Sequence, residues 1–522
     1  MANCWSMQKV LTSDEMKEVD GLTTEKYGTP SLILMENAAH AAARAIIDRF
    51  GGSVEGKSVL VLCGKGNNGG DGAAVARILW TQGADVVVYL FGKVEETKGD
   101  ARINFELLKK LDPNVFFWEI DEPMSLFSKS LFPNTEIVVD ALFGTGLSRP
   151  IEGDLRDFIE VCQEQGNNSF WVSLDIPSGL NSDLNQPIGE HIKADLTVTF
   201  TAPKLANVFP PALNFNGKVV VANIGSPQEL IESSPSKLYL ADKQDAQNWH
   251  DSTEVQTDSY KKTRGTALII ASSENYSGAA VLSANACFSA GAGMVSLAVP
   301  KQIHQITASK TLDEIIVKPI ENIDISKEKA DVVAIGCGLA NDEESHKFIR
   351  ETVENRQTTM VLDAEALNAL SPFDLQGSDE FPLVLTPHIG EFSRLLGREV
   401  LENRIEEVRE FSVKHNVILV LKGERSLIGK PDGTIVINPT GNAGISRAGA
   451  GDTLTGIITG FLAQTSVNDI DIAFEAVVAA LYIAGLAGDI AAEKFSQRLL
   501  TATDVRHCLQ SAIASVGMKD EG

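Results

Sequence analysis

The sequence has few cysteines for its length, and no two of them form a C-x-x-C pair: the six thiols stand far apart in a chain of 522 residues. Such spacing argues against a disulfide framework and against a zinc site, and is typical of reduced thiols in the cytosol. The first twenty residues also lack the apolar core of a signal peptide. We therefore expect a cytoplasmic protein without structural disulfides.

Basic residues are also scarce, since 45 lysines and arginines stand against 70 aspartates and glutamates and give a formal net charge of −25. A mean field of this sign repels nucleic-acid phosphates and anionic lipids, so we expect neither a nucleic-acid nor a membrane partner. Residues 275–300 carry no charge, as a membrane span would, but they contain glycines, serines and asparagines. This pattern predicts a buried helix followed by a turn and a strand.

The chain shows no internal repeat; instead, short apolar runs alternate with amphipathic helical runs, such as 71–80. This alternation predicts α/β domains with parallel sheets covered on both faces. Residues 226–263 interrupt it with a polar, turn-rich stretch, so we expect two domains in series, 1–230 and 231–522. A hairpin is predicted around 431–433, and a mostly helical end over 451–493. The predicted strands are 58–62, 85–89, 137–140, 170–174, 196–200, 266–271, 332–335, 360–363, 383–386 and 417–421.

A glycine-rich loop, CGKGNNGGDG, follows the first predicted strand and precedes a helix. Glycines there let backbone amides approach a ligand, and a helix N-terminus favours phosphate. The plain alternative is a tight strand–helix turn, but Asn67, Asn68 and Asp71 supply more polar groups than a turn needs. The loop is not the G-x-G-x-x-G of NAD-binding domains. We interpret it as a binding loop.

Two more strand ends carry aspartates beside glycines: Asp140 leads into ALFGTGLSRP, and Asp175 leads into IPSGLNSD. A single strand-end aspartate is more often a cap or turn residue. Several on one edge of a parallel sheet favour a binding site, because ligands lie beyond the carboxyl ends of the strands. The oxygens of Asn68, Asp140 and Ser178 would suit potassium or magnesium, and their spacing does not decide between the two.

The motifs GKGNNGGDG, DALFGTGL-x-RP and DIPSGL resemble the NAD(P)H-hydrate epimerases over about residues 10–225. The resemblance implies a Rossmann-like, doubly wound parallel sheet, and a potassium ion on Asn68, Asp140 and Ser178. The resemblance also implies which residues contact the hydrated dinucleotide. They are Asn67, Asn68, Gly69, Gly70, Asp71, Gly144, Thr145, Gly146, Leu147, Ser148, Arg149, Pro150 and Asp175.

The substrate of that family carries a hydroxyl group on C6 of the reduced nicotinamide ring, beside the ring nitrogen. Such a centre loses and regains hydroxide, or opens and closes, with modest acid–base help. Asp175 is our candidate for the catalytic carboxylate.

In the second domain the most specific motif is AGAGD, residues 448–452. It begins a predicted helix whose apolar residues recur at helical spacing. The amides of Gly449, Ala450 and Gly451 could stabilise a phosphoryl group in transfer. Asp452 could then take a proton from an attacking hydroxyl. The alternative is that Asp452 is an ordinary N-cap residue.

G-x-G-D before a helix resembles the ribokinase-like fold, and LTPHIGEFSRLLG, LKGERSLI, GCGLA and LDAEALN together resemble the ADP-dependent NAD(P)H-hydrate dehydratases over about 260–510. The resemblance implies that Asp452 deprotonates the C6 hydroxyl, which attacks the terminal phosphoryl group of ADP. Loss of phosphate then gives NAD(P)H and AMP, with Mg²⁺ accompanying the ADP. The residues implied to contact the hydrated dinucleotide are Ala279, Gly338, His388 and Asp452; those implied to bind ADP are Lys422, Gly423, Glu424, Arg425, Ser426 and Gly451.

The chain departs from this family in several loops: AGAGD replaces G-G-S-G-D, PHIGE replaces P-H-P-G-E, GCGLA replaces G-P-G-L-G, and KGERS replaces K-G-A-G. A dehydratase weakened in nucleotide binding is therefore the alternative for this domain.

Taken together, the resemblances predict a bifunctional repair enzyme that acts on both epimers of hydrated NADH and NADPH (NADHX and NADPHX). The expected partners are these small molecules and ADP. We also expect a homo-oligomer. The rival reading is a ribokinase-like small-molecule kinase fused to a Rossmann-like ligand-binding module.

Overall fold

The structure, a computed structural model, describes residues 7–111, 114–121, 135–165, 168–322, 328–465 and 469–517. The chain divides into two compact units: the first is Lys9–Ser236, and the second runs from Lys237 onward and includes Met7 and Gln8. The division thus falls between Ser236 and Lys237 rather than between 230 and 231, and Met7 and Gln8 belong with the second unit. The two-residue strand β1 (Gln8–Lys9) spans the boundary.

The first unit is a seven-stranded sheet of order β4-β3-β2-β5-β6-β7-β8 in which every pair of neighbours is parallel. Its strands are β2 (Ser58–Cys63), β3 (Asp85–Phe91), β4 (Phe116–Ile120), β5 (Ile137–Ala141), β6 (Phe170–Leu174), β7 (Leu196–Phe200) and β8 (Lys218–Ala222). Its helices are α1 (Ser13–Tyr27), α2 (Ser31–Arg49), α3 (Asn67–Thr81), α4 (Gly99–Lys109), α5 (Asp154–Gln165), α6 (Leu205–Val208) and α7 (Gln228–Ser233).

Both faces of this sheet are covered, as the continuous apolar strands predict. Alternate side chains of β2 point in opposite directions: Val59 and Val61 join one hydrophobic cluster, whereas Leu60 and Leu62 join another. The first cluster includes α2, α3 and α4, and the second includes Phe158 of α5. The unit is therefore doubly wound.

The second unit has an eleven-stranded sheet of order β1-β9-β18-β17-β16-β15-β14-β13-β10-β11-β12. Its other strands are β9 (Leu238–Leu240), β10 (Thr266–Ile270), β11 (Met294–Val299), β12 (Ile316–Pro319), β13 (Val332–Ile335), β14 (Thr359–Leu362), β15 (Leu383–Leu385), β16 (Ile418–Leu421), β17 (Leu427–Gly429) and β18 (Ile435–Ile437). Strands β10 to β16 pair in parallel, and β16, β17 and β18 pair antiparallel. The β17–β18 hairpin confirms the turn predicted around 431–433.

The helices of this unit are α8 (Lys243–Ser252), α9 (Ser277–Ser289), α10 (His304–Ala308), α11 (Glu343–Glu354), α12 (Glu365–Ala369), α13 (Ile389–Leu396), α14 (Arg404–His415), α15 (Ala450–Ala463), α16 (Ile470–Phe495) and α17 (Ala502–Gly517). Helix α9 and strand β11 confirm the helix, turn and strand predicted for residues 275–300.

Helix α16 is long and apolar enough to cross a membrane by length and composition, and 67% of its most apolar window is buried inside the protein. Phe474, Val477 and Leu481 of this helix are in the same hydrophobic cluster as Phe461 of α15 and Leu509 of α17. We conclude that α16 is the central core helix of the second unit. The five cysteines among the described residues are all buried and free; Cys4 lies outside those residues.

Candidate active sites at the carboxyl ends of two sheets

The first unit has a cavity of about 1,050 Å³ at the carboxyl ends of its parallel strands. Its wall includes the glycine-rich loop after β2, residues 142–147 after β5, Asp175 after β6, and Lys204 after β7. Helix α1 adds Met16, Lys17 and Asp20 from the start of the chain. The sheet topology therefore places the loops after β2, β5 and β6, which the sequence predicted to bind a ligand, in the wall of one cavity.

The glycine-rich loop is shorter than predicted, because α3 begins at Asn67 rather than at Asp71. Asn67, Asn68 and Asp71 line the cavity. Gly69 and Gly70 are buried, and their role is close packing: a Cβ on Gly69 would lie 1.8 Å from the Gly64 carbonyl oxygen, and one on Gly70 2.7 Å from the Ala101 Cα. These two glycines let the loop and α4 approach the first turns of α3.

The three residues predicted to hold potassium lie around the β5 loop. The Ser178 hydroxyl donates to Asp140 Oδ1 at 2.5 Å, and the Ser178 amide donates to Asp140 Oδ2 at 2.8 Å. Asn68 lies against Gly144, and within the described part of the chain neither polar atom of its buried amide has a hydrogen-bond partner. Asp140 is fully buried and also accepts from the Ser173 hydroxyl and the Leu142 amide, and neither Asp140 nor Ser178 is among the residues that line the cavity. Of the three predicted ligands, Asn68 is therefore the one with an unpaired oxygen to offer a cation.

The second loop lies only partly on the cavity. Residues 144–147 line it, and the Thr145 amide donates to Asp175 Oδ2 at 3.2 Å. Ser148, Arg149 and Pro150 are exposed and are not among the lining residues, so the structure does not bring these three predicted contacts to the wall.

The carboxylate of Asp175 is fixed in the cavity by its backbone conformation and by its hydrogen bonds. Its backbone is left-handed at φ 65°, uncommon for a residue other than glycine. Its Oδ1 accepts from Lys204 Nζ at 2.7 Å and from the Thr199 hydroxyl at 3.2 Å. The Lys204 side chain is 1% exposed, and its ammonium also donates to Thr199 and to the Phe200 carbonyl. Asp175 and Lys204 are therefore a buried ion pair whose hydrogen bonds are well satisfied.

Two further carboxyl groups, on Asp20 and Asp71, face this ion pair. Burial, then the charges of Asp175 and Asp20, raise the pKa of Asp71 well above its ordinary value. Burial, reinforced by Asp175, also raises the pKa of Asp20 to about 6, although Lys204 and Ser226 act in the other direction. Sequence reasoning missed both Asp20 and Lys204, since neither stands in a glycine-rich motif or at a predicted strand end.

In the second unit, Asp452 lies in the first turn of α15 and is not its N-cap. The N-cap is Gly449, whose φ of 87° favours glycine and which has no side chain to cap the helix. The alternative reading of Asp452 as an N-cap residue is therefore wrong. The Ala450 amide donates to the Arg447 carbonyl at 3.1 Å, so it is engaged within the chain, contrary to the expectation that it faces a phosphoryl group.

A second buried carboxylate, on Asp363, lies beside Asp452. Its Oδ1 accepts from Lys422 Nζ at 2.7 Å, and its Oδ2 accepts from the Thr455 hydroxyl of α15 at 2.7 Å. A Cβ on Gly451 would lie 3.5 Å from Lys422 Nζ, so this ammonium stands at the first turn of α15. Asp363 follows β14 and Lys422 follows β16, at the same edge of the sheet.

The groups around Asp452 act in opposite directions on its pKa. Burial, then the charge of Asp363, raises the pKa of Asp452, against the effects of Cys337 and Lys422. Burial acts to lower the pKa of Lys422, but Asp363 and Glu391 outweigh it and raise that pKa. Lys422 therefore stays charged while Asp452 becomes more basic.

The other predicted dinucleotide contacts lie near the carboxyl end of β13 and at the start of α13. Gly338 and Ala279 are neighbours, since a Cβ on Gly338 would lie 2.8 Å from the Ala279 Cβ. His388 caps α13: its Nδ1 accepts from the amides of Gly390 and Glu391 at 3.0 and 3.2 Å. This bonding leaves Nε2 to carry the proton in the neutral ring.

The predicted ADP loop, residues 422–426, joins β16 to β17. Gly423 and Glu424 are exposed, whereas Arg425 hydrogen-bonds to the Pro439 carbonyl and the Ser426 carbonyl accepts from the Asn438 amide. Arg425 is thus fixed to the 438–442 segment, and Lys422 differs from the rest of the loop in facing Asp363.

Comparisons with known proteins agree with this division. A family model described as YjeF-related protein N-terminus matches residues 31–206, and one described as NAD(P)H-hydrate dehydratase matches 267–511. Proteins named bifunctional NAD(P)H-hydrate repair enzyme Nnr match nearly the whole chain: one from Moorella thermoacetica is 36% identical, with 95% of each chain covered, and one from Thermofilum pendens is 35% identical, with 97% of each covered. The chain belongs to the bifunctional NAD(P)H-hydrate repair enzymes.

Among solved structures, an ADP/ATP-dependent NAD(P)H-hydrate dehydratase from Bacillus subtilis, co-crystallised with ATP/Mg²⁺, is 28% identical and matches with a TM-score of 0.48, covering 53% of this chain and 98% of that one. The prediction of a two-domain α/β enzyme that combines an epimerase with a dehydratase is confirmed.

Proposed function

We propose that the first unit interconverts the R and S forms of NADHX and NADPHX at its 1,050 Å³ cavity, and that the second dehydrates the S form with ADP at Asp452. The observation that carries the proposal is the position of Asp452, in the first turn of α15 and next to the Asp363–Lys422 ion pair. A base, a fixed cation and a helix N-terminus are the groups that a phosphoryl transfer from a nucleotide to a hydroxyl requires.

In the second unit, Asp452 removes the proton from the C6 hydroxyl, and the oxygen attacks the terminal phosphoryl group of ADP. Lys422 lies where negative charge builds up on that group, while Asp363 keeps the ammonium charged and in place. The phosphorylated intermediate then loses phosphate, which forms the C5–C6 double bond as a proton leaves C5. The products are NAD(P)H, AMP and phosphate.

In the first unit, the fully bonded carboxylate of Asp175 provides a fixed negative charge beside the nicotinamide ring. This charge stabilises the cation that forms when the C6 hydroxyl leaves. Asp175 was predicted from the sequence as the catalytic carboxylate, and we keep it in the site as the charge that faces the ring.

The family implies an ion in each unit. The unpaired, buried Asn68 amide supports a potassium ion in the first unit, where the oxygens of Asp140 and Ser178, now bonded to each other, would complete its ligands. Mg²⁺ would enter the second unit with ADP and neutralise the charge on its phosphates.

We also propose that the chain assembles as a homo-oligomer and works in the cytoplasm. Closed symmetric assembly is common among enzymes of this kind of architecture, and an acidic, compact protein is compatible with it. Light scattering on the purified chain measures the oligomeric state.

The function is tested by mixing the purified chain with racemic NADHX and following the near-ultraviolet absorbance of the reduced ring. With ADP we expect complete conversion to NADH and one AMP for each NADH formed. Without ADP we expect epimerisation only. A lasting phosphorylated product and no NADH would instead support the ribokinase-like kinase and would reject the dehydratase.

A further inference from the structure

We propose that Asp20 is the proton donor of the first unit's cavity. Its carboxyl group protonates the C6 hydroxyl as this group leaves, and its carboxylate takes a proton from the water that returns to the opposite face of the ring. The inference rests on the proposed epimerase function and assigns its acid–base step to a residue outside every motif found in the sequence.

The bonding of Asp175 makes that residue unsuitable for carrying the proton. Its two oxygens accept from Lys204, Thr199 and the Thr145 amide. One of these donors is a buried ammonium at 2.7 Å. Both oxygens are therefore engaged within the protein, and neither is left to exchange a proton with the substrate.

Asp20 has the opposite surroundings. It lies on the face of α1 that also carries the buried residues Met16 and Val19, and it forms part of the cavity wall. Its Oδ1 is buried, and no described residue donates to or accepts from this atom. A carboxyl group in the cavity wall that is hydrogen-bonded to Ser226 and whose Oδ1 has no described partner is placed to bind a group on the substrate.

The charged groups that face Asp20 come from three other segments: Lys204 before α6, Asp175 after β6, and Asp71 on α3. Lys17, on α1 itself, is exposed and paired with Asp14. Burial and Asp175 outweigh Lys204 and bring the pKa of Asp20 to about 6, so both its protonated and its charged forms exist near neutral pH. A group that must both give and recover a proton works best when its pKa is near the working pH.

Asp71 is the competing candidate, since it lines the same cavity. Burial, then the charges of Asp175 and Asp20, raise its pKa well above the ordinary value and favour its protonated form. In that form it can donate a hydrogen bond to the substrate. The Asp71→Asn variant below distinguishes the two residues.

The step balances without any other reactant. The Asp20 carboxyl proton passes to the C6 oxygen, the C6–O bond breaks, and water and a ring cation form with the electron pair of the ring nitrogen. Water then adds to C6 from the other face, and Asp20 recovers one proton. No oxidant or reductant takes part.

The test compares Asp20→Asn with Glu18→Gln, a control at an exposed carboxylate on the same helix. In Asp20→Asn we expect the rate of R-to-S exchange to fall about 100-fold, in the range typical of lost acid–base catalysis. Glu18→Gln keeps the full rate. The wild-type kcat/KM for exchange should fall as pH rises above about 6, because the protonated form of Asp20 is required, and this limb should vanish in Asp20→Asn after subtraction of the uncatalysed rate.

Asp20→Glu and Asp71→Asn protect the test against a variant that only misfolds. Asp20→Glu keeps a carboxyl group and should restore part of the rate together with the pH limb; Asp71→Asn should keep the limb. If Asp20→Asn keeps the wild-type rate, or if the limb disappears in Asp71→Asn and not in Asp20→Asn, the inference is wrong while the epimerase function stands. If the wild-type chain fails to exchange R and S forms at all, the proposed function itself is wrong.

Discussion

The two units place a buried lysine–aspartate pair in comparable positions, yet they differ in where the neighbouring carboxyl group comes from. In the first unit Lys204 and Asp175 lie 2.7 Å apart, and Asp20 reaches them from α1 at the start of the chain. In the second unit Lys422 and Asp363 also lie 2.7 Å apart, and Asp452 reaches them from α15 near the end.

The comparison teaches that an aspartate at a strand end is not by itself the group that moves a proton. In each unit one aspartate is paired with a lysine at 2.7 Å, whereas the carboxyl group beside that pair has a raised pKa. Environments that separate two carboxyl groups in this way assign them different roles. This difference supports the proposals that Asp452 is the base of the second unit and that Asp20, rather than Asp175, moves the proton in the first.

The largest expected effect is that of Asp452→Asn, which leaves the second unit without its base. Dehydration should fall about 1,000-fold, as is typical when a general base is lost, while R-to-S exchange in the first unit continues. NADH formation with ADP measures the first quantity and chromatographic separation of the epimers the second. Glu402→Gln, at an exposed carboxylate of the same unit, is the control and should retain both activities. If Asp452→Asn dehydrates the substrate at a rate close to that of the wild type, Asp452 is not the base and the comparison between the two units fails.

The next effect is on stability. Lys204→Met leaves Asp175 buried without its cation and should lower the free energy of unfolding of the first unit by about 3–5 kcal/mol. Lys422 is 19% exposed, against 1% for Lys204, so water relieves more of the loss and Lys422→Met should cost less. Thermal unfolding followed by calorimetry measures both. Equal losses, or a greater loss for Lys422→Met, would show that burial does not distinguish the two pairs.

A smaller effect concerns pH. Asp452 must be charged to accept a proton, so dehydration falls as pH drops through its raised pKa. Asp363→Asn removes a negative charge that helps to raise that pKa, and the acid limb of kcat/KM should move to lower pH by about one unit. Activity at neutral pH should also decrease, because Lys422 loses its partner. If the acid limb of kcat/KM stays at the same pH or moves to higher pH in Asp363→Asn, the role given to Asp363 is wrong.

The smallest effect is expected from Cys337, which stands in the GCGLA loop where the family usually has proline. Its buried thiol lies 4.0 Å from Asp363 Oδ2, and burial, then the charges of Asp363 and Asp452, raise the pKa of the thiol well above its ordinary value. Because the thiol acts to lower the pKa of Asp452, Cys337→Ala should move the acid limb upward by a fraction of a unit. Cys287→Ala, at a buried thiol of the hydrophobic core, should leave the limb unchanged. A downward shift in Cys337→Ala would show that the thiol is not a donor to Asp452.

The central strands were predictable because they are continuous apolar runs; β5, β6 and β7 lie close to their predicted ranges. The strands that the sequence did not predict include β4 and β12, which end their sheets, and the short β9. Edge strands bury only part of their surface, and in β4 Phe116 and Trp118 are more than half exposed, so the local pattern is weak.

Candidate site residues were predictable where chemistry coincided with a local motif. Asn68, Asp71 and Asp175 stand in glycine-rich loops and do line the cavity. Asp363 lies within LDAEALN, a motif that served only to support the family resemblance, and no local pattern distinguishes it from a turn aspartate. Its importance becomes visible only from the ammonium of Lys422, which comes from another strand.

By itself the sequence determined two α/β domains, the family, and the glycine-rich loops that begin helices at the sheet edges, because periodicity and short motifs are written in neighbouring residues. Only the tertiary structure decided which carboxyl groups are paired with a lysine. The pairing requires a lysine from a distant segment, such as Lys204 or Lys422, to stand within hydrogen-bond distance.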